Sequence, residues 1–323
     1  MKKNFLSIDY TKPGKGVKKG QSKLFTLGNF FPLLKRKFWG LITTNFLWIM
    51  ISFPLIFGLV ALSGNFDFDY KAPADPLWAI LSGVETMGGV DPALCALEGT
   101  AGIQLTMSYS GPVAKVLYAL TALFFLTFGP SNTGMAYITR GYTKEEYVDM
   151  PSDFVVAIKK SFRQSIFLGL FDLIILTLII FSLVFYATNY AYSFMFSIGL
   201  FISPILGIIY LMARPYLYLQ LVTFKLPLRK IFKNAFIFSL VGIKRNVVGL
   251  LGSAAVIVLN LIIYIYLLPL GGLMPFFITI SLTSFITTYA AWPTIKKIMI
   301  DPYYSTEEPD TPENDEPVFT DRG

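Results

Sequence analysis

The chain reads as an all-α membrane protein: six transmembrane helices paired as three hairpins, with amphipathic helices at the cytosolic interface before the hairpins. Three observations predict this class. Of 323 residues, 54% are hydrophobic and only 15% are charged, against roughly 25% charged in a soluble domain. Four charge-free runs exceed 20 residues, the length a helix needs to cross the hydrocarbon core. The charges that remain are sorted by connection, basic on one side of the runs and acidic on the other.

In chain order, residues 1–37 form a basic N-terminal segment with ten Lys or Arg and one acid. Residues 1–23 are Gly/Lys-rich and read as flexible. The stretch 23–34 either lies on the membrane with its aromatics inserted and its lysines on anionic lipid, or is a plain tether. The first span is expected over 38–62. A loop over 65–111 carries six acids and Lys71. Within it, Asp75-Pro76 and Asp91-Pro92 each pair an N-cap residue with proline at the first helical position, predicting short helices over 77–85 and 93–101.

The second span is expected over 113–139, broken at Gly129-Pro130. Residues 173–213 and 246–295 are charge-free for 41 and 50 residues, too long for one helix each and suited to two with a tight turn. Gly, Pro, Asn and Ser place those turns at 187–193 and 268–272. The remaining spans then fall at 165–187, 194–219, 246–268 and 272–293, within a membrane domain covering 38–300. Trp39 and Trp292 read as interface anchors. Residues 301–323 form a proline-rich acidic tail of disordered composition, with seven acids and one Arg from 305 onward.

Positive loops stay in the cytosol. Of 27 basic residues, only Lys71 and Lys115 fall near the outer face and Arg214 lies inside a span. Both termini are therefore expected in the cytosol. The partner this implies is a bilayer with anionic headgroups. The basic faces follow from membrane topology and give no reason to expect nucleic acid.

A repeat appears at an offset of 70. Residues 159–170 read KKSFRQSIFLGL and 229–240 read RKIFKNAFIFSL. Both share base, base, any residue, Phe, base, amide, small, then an apolar run. They predict interfacial helices at about 152–165 and 228–241, with Lys159, Lys160, Arg163, Arg229, Lys230 and Lys233 on lipid headgroups. Duplication explains the likeness, and so does independent selection of bases and aromatics at a membrane surface.

Several short motifs carry a family resemblance. Asn45-Phe-Leu-Trp48 followed by Pro54, Gly129-Pro130-Ser-Asn-Thr-Gly134, Ser152-Asp153-Phe154 with KKSFRQS, and residues 216–223 with LRKIFKNA resemble the YesL-like family of bacterial integral membrane proteins, over most of residues 30–300. The resemblance implies a bacterial plasma membrane and an association with ABC-type carbohydrate-uptake systems, with ABC-transporter subunits as partners. It implies no molecular activity, because the family has none assigned. The acidic loop 65–111 and the acidic tail depart from the compact family core.

Two charges lie well inside the spans, Asp172 and Arg214. A charge at mid-membrane costs about 2.5–3.5 kcal/mol on insertion scales, so each requires a partner or a wet cavity. Each sits roughly 12 Å from the cytosolic end of its helix, at 1.5 Å per residue, so the two are expected to pair. Asn45, Ser131, Asn132, Thr133, Thr287 and Thr288 fall at a similar level beside the break at Gly129-Pro130. This polar layer is either a cytosol-facing ligand site, as beside the broken helices of transporters, or a hydrogen-bonded lock on the bundle.

The chain has no His and one Cys. Imidazole acid–base work, Ser/His/Asp or Cys/His arrangements and nearly all zinc chemistry are thereby removed. No phosphate loop, dinucleotide fingerprint or metal-ligand spacing occurs, so no cofactor or metal is implied and an enzyme is not expected.

Overall fold

A computed structural model describes residues 25–65, 67–71, 80, 83 and 104–302. The basic segment 1–24 and the tail 303–323 lie outside it, and so, apart from helical Ile80 and Gly83, do the two short helices expected in the acidic loop.

Helix α1 (Leu27–Ile51) runs through Pro32, stops at Ser52, and is followed by α2 (Pro54–Leu62) with proline in its first turn. The two are bent by 74° and together are long and apolar enough for one broken span or a re-entrant loop. Proline suits a first helical position because its missing N–H is an unpaired donor there anyway. Strands β1 (Phe68–Lys71) and β2 (Gln104–Met107) pair antiparallel, Phe68 opposite Met107. They bring Asp67 against the start of α3 (Pro112–Thr121). The Asp67 carboxylate accepts the Ala114 N–H at 2.7 Å and the Val113 N–H at 3.4 Å. One acid of the acidic loop thus caps a helix and opposes its dipole from 47 residues away.

Helix α4 (Phe124–Thr143) follows α3 across a break at Ala122–Leu123. Gly129 and Pro130, which read as a break in this span, lie inside continuous α4, and the interruption comes about two turns earlier, at 3.6 residues per turn. Side chains dress the carbonyls beside the proline. Ser131 Oγ and Asn132 Nδ2 donate to Phe128 O at 2.9 and 2.8 Å, and Thr133 Oγ1 donates to Gly129 O at 2.9 Å. Neighbouring polar groups of this kind let a membrane helix carry proline without opening.

Helix α5 (Met150–Asn189) is 40 residues long and bends at Ser161, where φ is −120° and ψ is 20°. The helix expected at 152–165 corresponds to the piece from Met150 to this kink, where it joins a second helix that forms the third span. No glycine or proline stands at the kink, and the inward face continues beyond it through Ser165, Leu168, Gly169 and Asp172. Ser193 turns the chain into α6 (Phe194–Thr223), which passes Pro204 and Pro215.

The second basic segment does form its own helix, α7 (Leu228–Val241), ended at Gly242, whose N–H returns to Phe238 O at 2.9 Å. Buried positions repeat at the offset of 70: Ser165 with Ala235, Leu168 with Phe238, and Gly169 with Ser239. Helix α8 (Ile243–Tyr266) reverses at the single residue Leu267. The stretch 268–272, expected as a turn, is instead the start of helix α9 (Leu268–Met274). It folds back so closely that a Cβ on Gly271 would strike the Tyr264 backbone. A π-helical turn at Pro275–Thr279 leads into α10 (Ile280–Ile295), and a second at Lys296–Ile300 ends the described helices.

Five helical segments are long and apolar enough to cross a membrane, six with the bent α1–α2 pair, so this is a multi-pass membrane architecture. Helix α4 packs against α5 and α10, α5 against α6, α8 against α10, and α2 against α3. Buried side chains concentrate at the end where α4 meets α5 and α6 meets α7. One cluster joins Leu168, Tyr216, Ile231, Phe238 and Trp292, and another joins Leu41, Trp48, Met135, Phe154 and Phe285. Trp292, read as an anchor, is core; Trp39 is 78% exposed. Among the described residues, burial stops at Asp172 in α5 and at Ser253 in α8. Beyond those points the apolar side chains point outward, as lipid-facing surfaces do.

A buried carboxylate with three donors

Asp172 is fully buried on α5, and α6 supplies everything it binds. Arg214 Nε donates to both carboxylate oxygens, at 2.9 Å to Oδ2 and 3.1 Å to Oδ1. Tyr210 and Tyr218 donate their hydroxyls at 2.7 Å, one to each oxygen. The intramembrane ion pair expected from the two matching depths is present. The sequence reading missed the tyrosines, although residues 210, 214 and 218 are four apart and share one helical face. That spacing around a lone charge is the signal that could have found them.

The geometry decides what this unit can do. With four hydrogen bonds and no exposure, the Asp172 carboxylate has little capacity left to ligate an ion. Arg214 differs. Its side chain is 30% exposed, it lies 5.7 Å from the ring centres of Phe128 and Tyr218, and it walls a cavity of about 320 Å³. Asn132, Ser253, Thr283 and Thr287 line the same cavity. Its hydroxyls are largely engaged with their own helices: Thr287 Oγ1 donates to Thr283 O and Ser284 O, both at 3.0 Å, and Ser253 Oγ to Gly249 O at 2.9 Å.

Most other members of the expected polar layer form three separate joints. Asn45 on α1 donates through Nδ2 to Pro275 O at 2.8 Å and Phe276 O at 2.7 Å, and accepts the Ser281 N–H at 2.9 Å. All three bonds fall on or beside the π-helical turn before α10. Asparagine there holds α1 to a backbone whose own ladder is disturbed. Ser131 accepts from Ser52 at 3.0 Å, and Asn132 accepts the Trp48 indole N–H at 3.4 Å, fastening α4 to the end of α1. Thr288 shares a 3.1 Å hydrogen bond with Thr139. Thr133 stays within its own helix. The layer exists as a set of joints around the Arg214 cavity.

The six basic residues assigned to headgroups, Lys159, Lys160, Arg163, Arg229, Lys230 and Lys233, are all exposed. The two segments that carry them adjoin: Gln164 Nε2 reaches Leu226 O at 3.4 Å, and the Phe171 and Phe232 rings sit 4.6 Å apart. Arg140 has a role that no sequence motif marks. It donates through Nη1 to Val222 O at 2.8 Å and Thr223 Oγ1 at 3.1 Å, placing a cation on the last carbonyls of α6. Gln220 is fully buried, and neither side-chain polar atom has a partner. Among the described residues, no group of three or more His, Cys, Asp or Glu side chains is placed to hold a metal. Comparison with protein-family models, with characterised proteins and with solved structures finds no match for the chain.

Proposed function

We propose that this is a bacterial plasma-membrane protein, with both termini in the cytosol and its spans paired as hairpins, that serves as a non-enzymatic accessory or assembly component of an ABC-type carbohydrate-uptake system. The observation that supports an accessory role is the closure of the Asp172 unit. A carboxylate held by four hydrogen bonds from three donors fastens α5 to α6 as a rigid pair, and the outward faces of both helices are apolar beyond it. Such a body offers membrane-embedded packing surfaces to a partner and keeps its polar groups to itself. The link to carbohydrate uptake rests on the motifs shared with YesL-like proteins, and the cytosolic termini rest on the distribution of Lys and Arg.

An affinity-tagged copy, extracted from its own membranes in mild detergent, is expected to bring down permease subunits of an ABC-type sugar transporter. Sugar flux into liposomes holding the purified chain alone, with no subunits recovered, would overturn the accessory role. That result would favour the second reading, a small secondary carrier or channel. The observation behind this alternative is the 320 Å³ cavity walled by Arg214, Asn132 and Thr287.

A further inference from the structure

A larger apolar groove, distinct from the Arg214 cavity, opens between the start of α1, the first half of α8 and the middle of α10. Its volume is about 780 Å³, within the roughly 300–1,000 Å³ of ordinary ligand sites. Phe31 and Leu34 form one wall, and Val256 and Ile286 lie on the other side. The floor is shallow because α8 carries glycine where it meets α10. A Cβ on Gly252 would reach Ile286 at 3.0 Å, and one on Gly249 would reach Ala290 at 2.7 Å. The groove is accessible from outside the bundle, since Leu27, Phe31 and Leu251 on its edges are 64%, 66% and 63% exposed.

Only one end of this groove is polar. Lys244 and Arg245, in the first turn of α8, line it there. Arg245 gives one N–H to Phe25 O at 3.0 Å, and both side chains are exposed. From Arg245 to Val256 the helix advances 11 residues, about 16 Å at 1.5 Å per residue. Half of a hydrocarbon core roughly 30 Å thick has the same depth. The match in charge and in length identifies one kind of occupant: a molecule with an anionic head and an apolar body one leaflet long.

We infer that this groove is a binding site for a single anionic phospholipid, its phosphate held by Lys244 and Arg245 and an acyl chain lying along Gly249, Gly252 and Val256. The lipid fills the space between α1 and α8 and fastens the first turns of α1 to the bundle. This inference is independent of the accessory role, because it concerns what the chain retains and not what it assembles with.

The test uses the full chain purified in detergent and read by native mass spectrometry, with dioleoyl phosphatidylglycerol or dioleoyl phosphatidylcholine added at equal concentration. One phosphatidylglycerol per chain is expected to be retained at least ten-fold more strongly than phosphatidylcholine. The double variant Lys244→Gln/Arg245→Gln is expected to abolish that preference, and Lys115→Gln, at an exposed position on α3 outside the groove, to leave it intact. Ala255→Trp, which puts an indole into the groove, is expected to lower retention of both lipids. Equal retention of the two lipids by the native chain would overturn the site, and so would a preference that survives loss of Lys244 and Arg245. Displacement of the lipid by glycerol phosphate alone would show an anion site without an acyl groove and would overturn it as well. The charge variant removes only exposed side chains, so it decides the matter even if Ala255→Trp fails to fold.

Discussion

Gly129 on α4 and Gly169 on α5 meet backbone to backbone. A Cβ on Gly129 would collide with the Ser165 carbonyl, and one on Gly169 with Gly129 itself. Helices in lipid gain nothing from hydrophobic exclusion against one another, so close approach over small residues is what holds them. Gly129→Ala and Gly169→Ala are therefore each expected to destabilise the protein by about 1–3 kcal/mol or more through overpacking. Gly28→Ala, where the nearest atom is Thr26 Oγ1 at 4.0 Å, is expected to be neutral. Thermal unfolding in detergent separates them; equal midpoints for all three would show that the crossing does not stabilise the bundle.

Removing the Asp172 charge is expected to cost more than removing any one of its donors. Asp172→Asn leaves the Arg214 guanidinium without its counter-charge, a loss of about 3–5 kcal/mol for a buried pair. Tyr210→Phe or Tyr218→Phe deletes one hydrogen bond to a charged group, about 1.5–3 kcal/mol. Because the three donor residues share one carboxylate, the double change Asp172→Asn/Arg214→Gln is expected to lose less than the sum of its parts. Unfolding midpoints of these four variants and of Arg214→Gln alone test this order, and an Asp172→Asn protein as stable as the parent would contradict it.

Asn45→Leu is expected to loosen the junction of α1 with α10. The change leaves the Pro275 and Phe276 carbonyls and the Ser281 N–H without the partner they have now, at about 1–3 kcal/mol for a buried unsatisfied group. Hydrogen exchange should rise around residues 275–281 and stay unchanged near Asp172. Uniform loosening of the bundle would show that the joint is not local.

Gln220→Met is expected to raise stability, by up to about 1 kcal/mol. The amide is buried with both polar atoms unpaired, and exchanging such a group for an apolar one of similar shape is neutral or stabilising. A fall in the unfolding midpoint would mean that the amide holds a partner in the membrane.

The orientation makes a labelling prediction. In a Cys95→Ser background, a membrane-impermeant thiol reagent added to intact cells is expected to modify Ser110→Cys and to reach Tyr147→Cys only after permeabilisation. Both positions are exposed, Tyr147 at 91%. The opposite pattern would invert the topology and place both termini outside.

Much of the fold was legible in one dimension because a bilayer constrains sequence along the chain. Spans must be about 20 apolar residues long, their ends must turn, and a lone charge inside one must find another. Those constraints located the apolar runs, set the reversal before α6, and paired Asp172 with Arg214, but they started the first span at 38 where α1 begins at Leu27, and they missed its break after Ile51. Ser161 shows where they stop: nothing in KKSFRQS distinguishes a kink within one helix from a boundary between two, because both keep the same inward face. Gly129-Pro130 shows the same limit. Glycine and proline read as a break along the chain, yet here the glycine is required by α5 across the contact and the proline is accommodated by Ser131, Asn132 and Thr133.

The sequence by itself determined a multi-pass helical membrane protein and the need for an ion pair within its spans, since each depends on transfer of nearby residues between water and lipid. Only the tertiary structure decided that Tyr210 and Tyr218 complete the Asp172 shell, that Asn45 holds a π-helical turn 230 residues away, and that the polar layer is a set of joints around one cavity. Those are matters of which side chains meet across helices, and neither hydropathy nor spacing along a single chain specifies the partner a helix face will find.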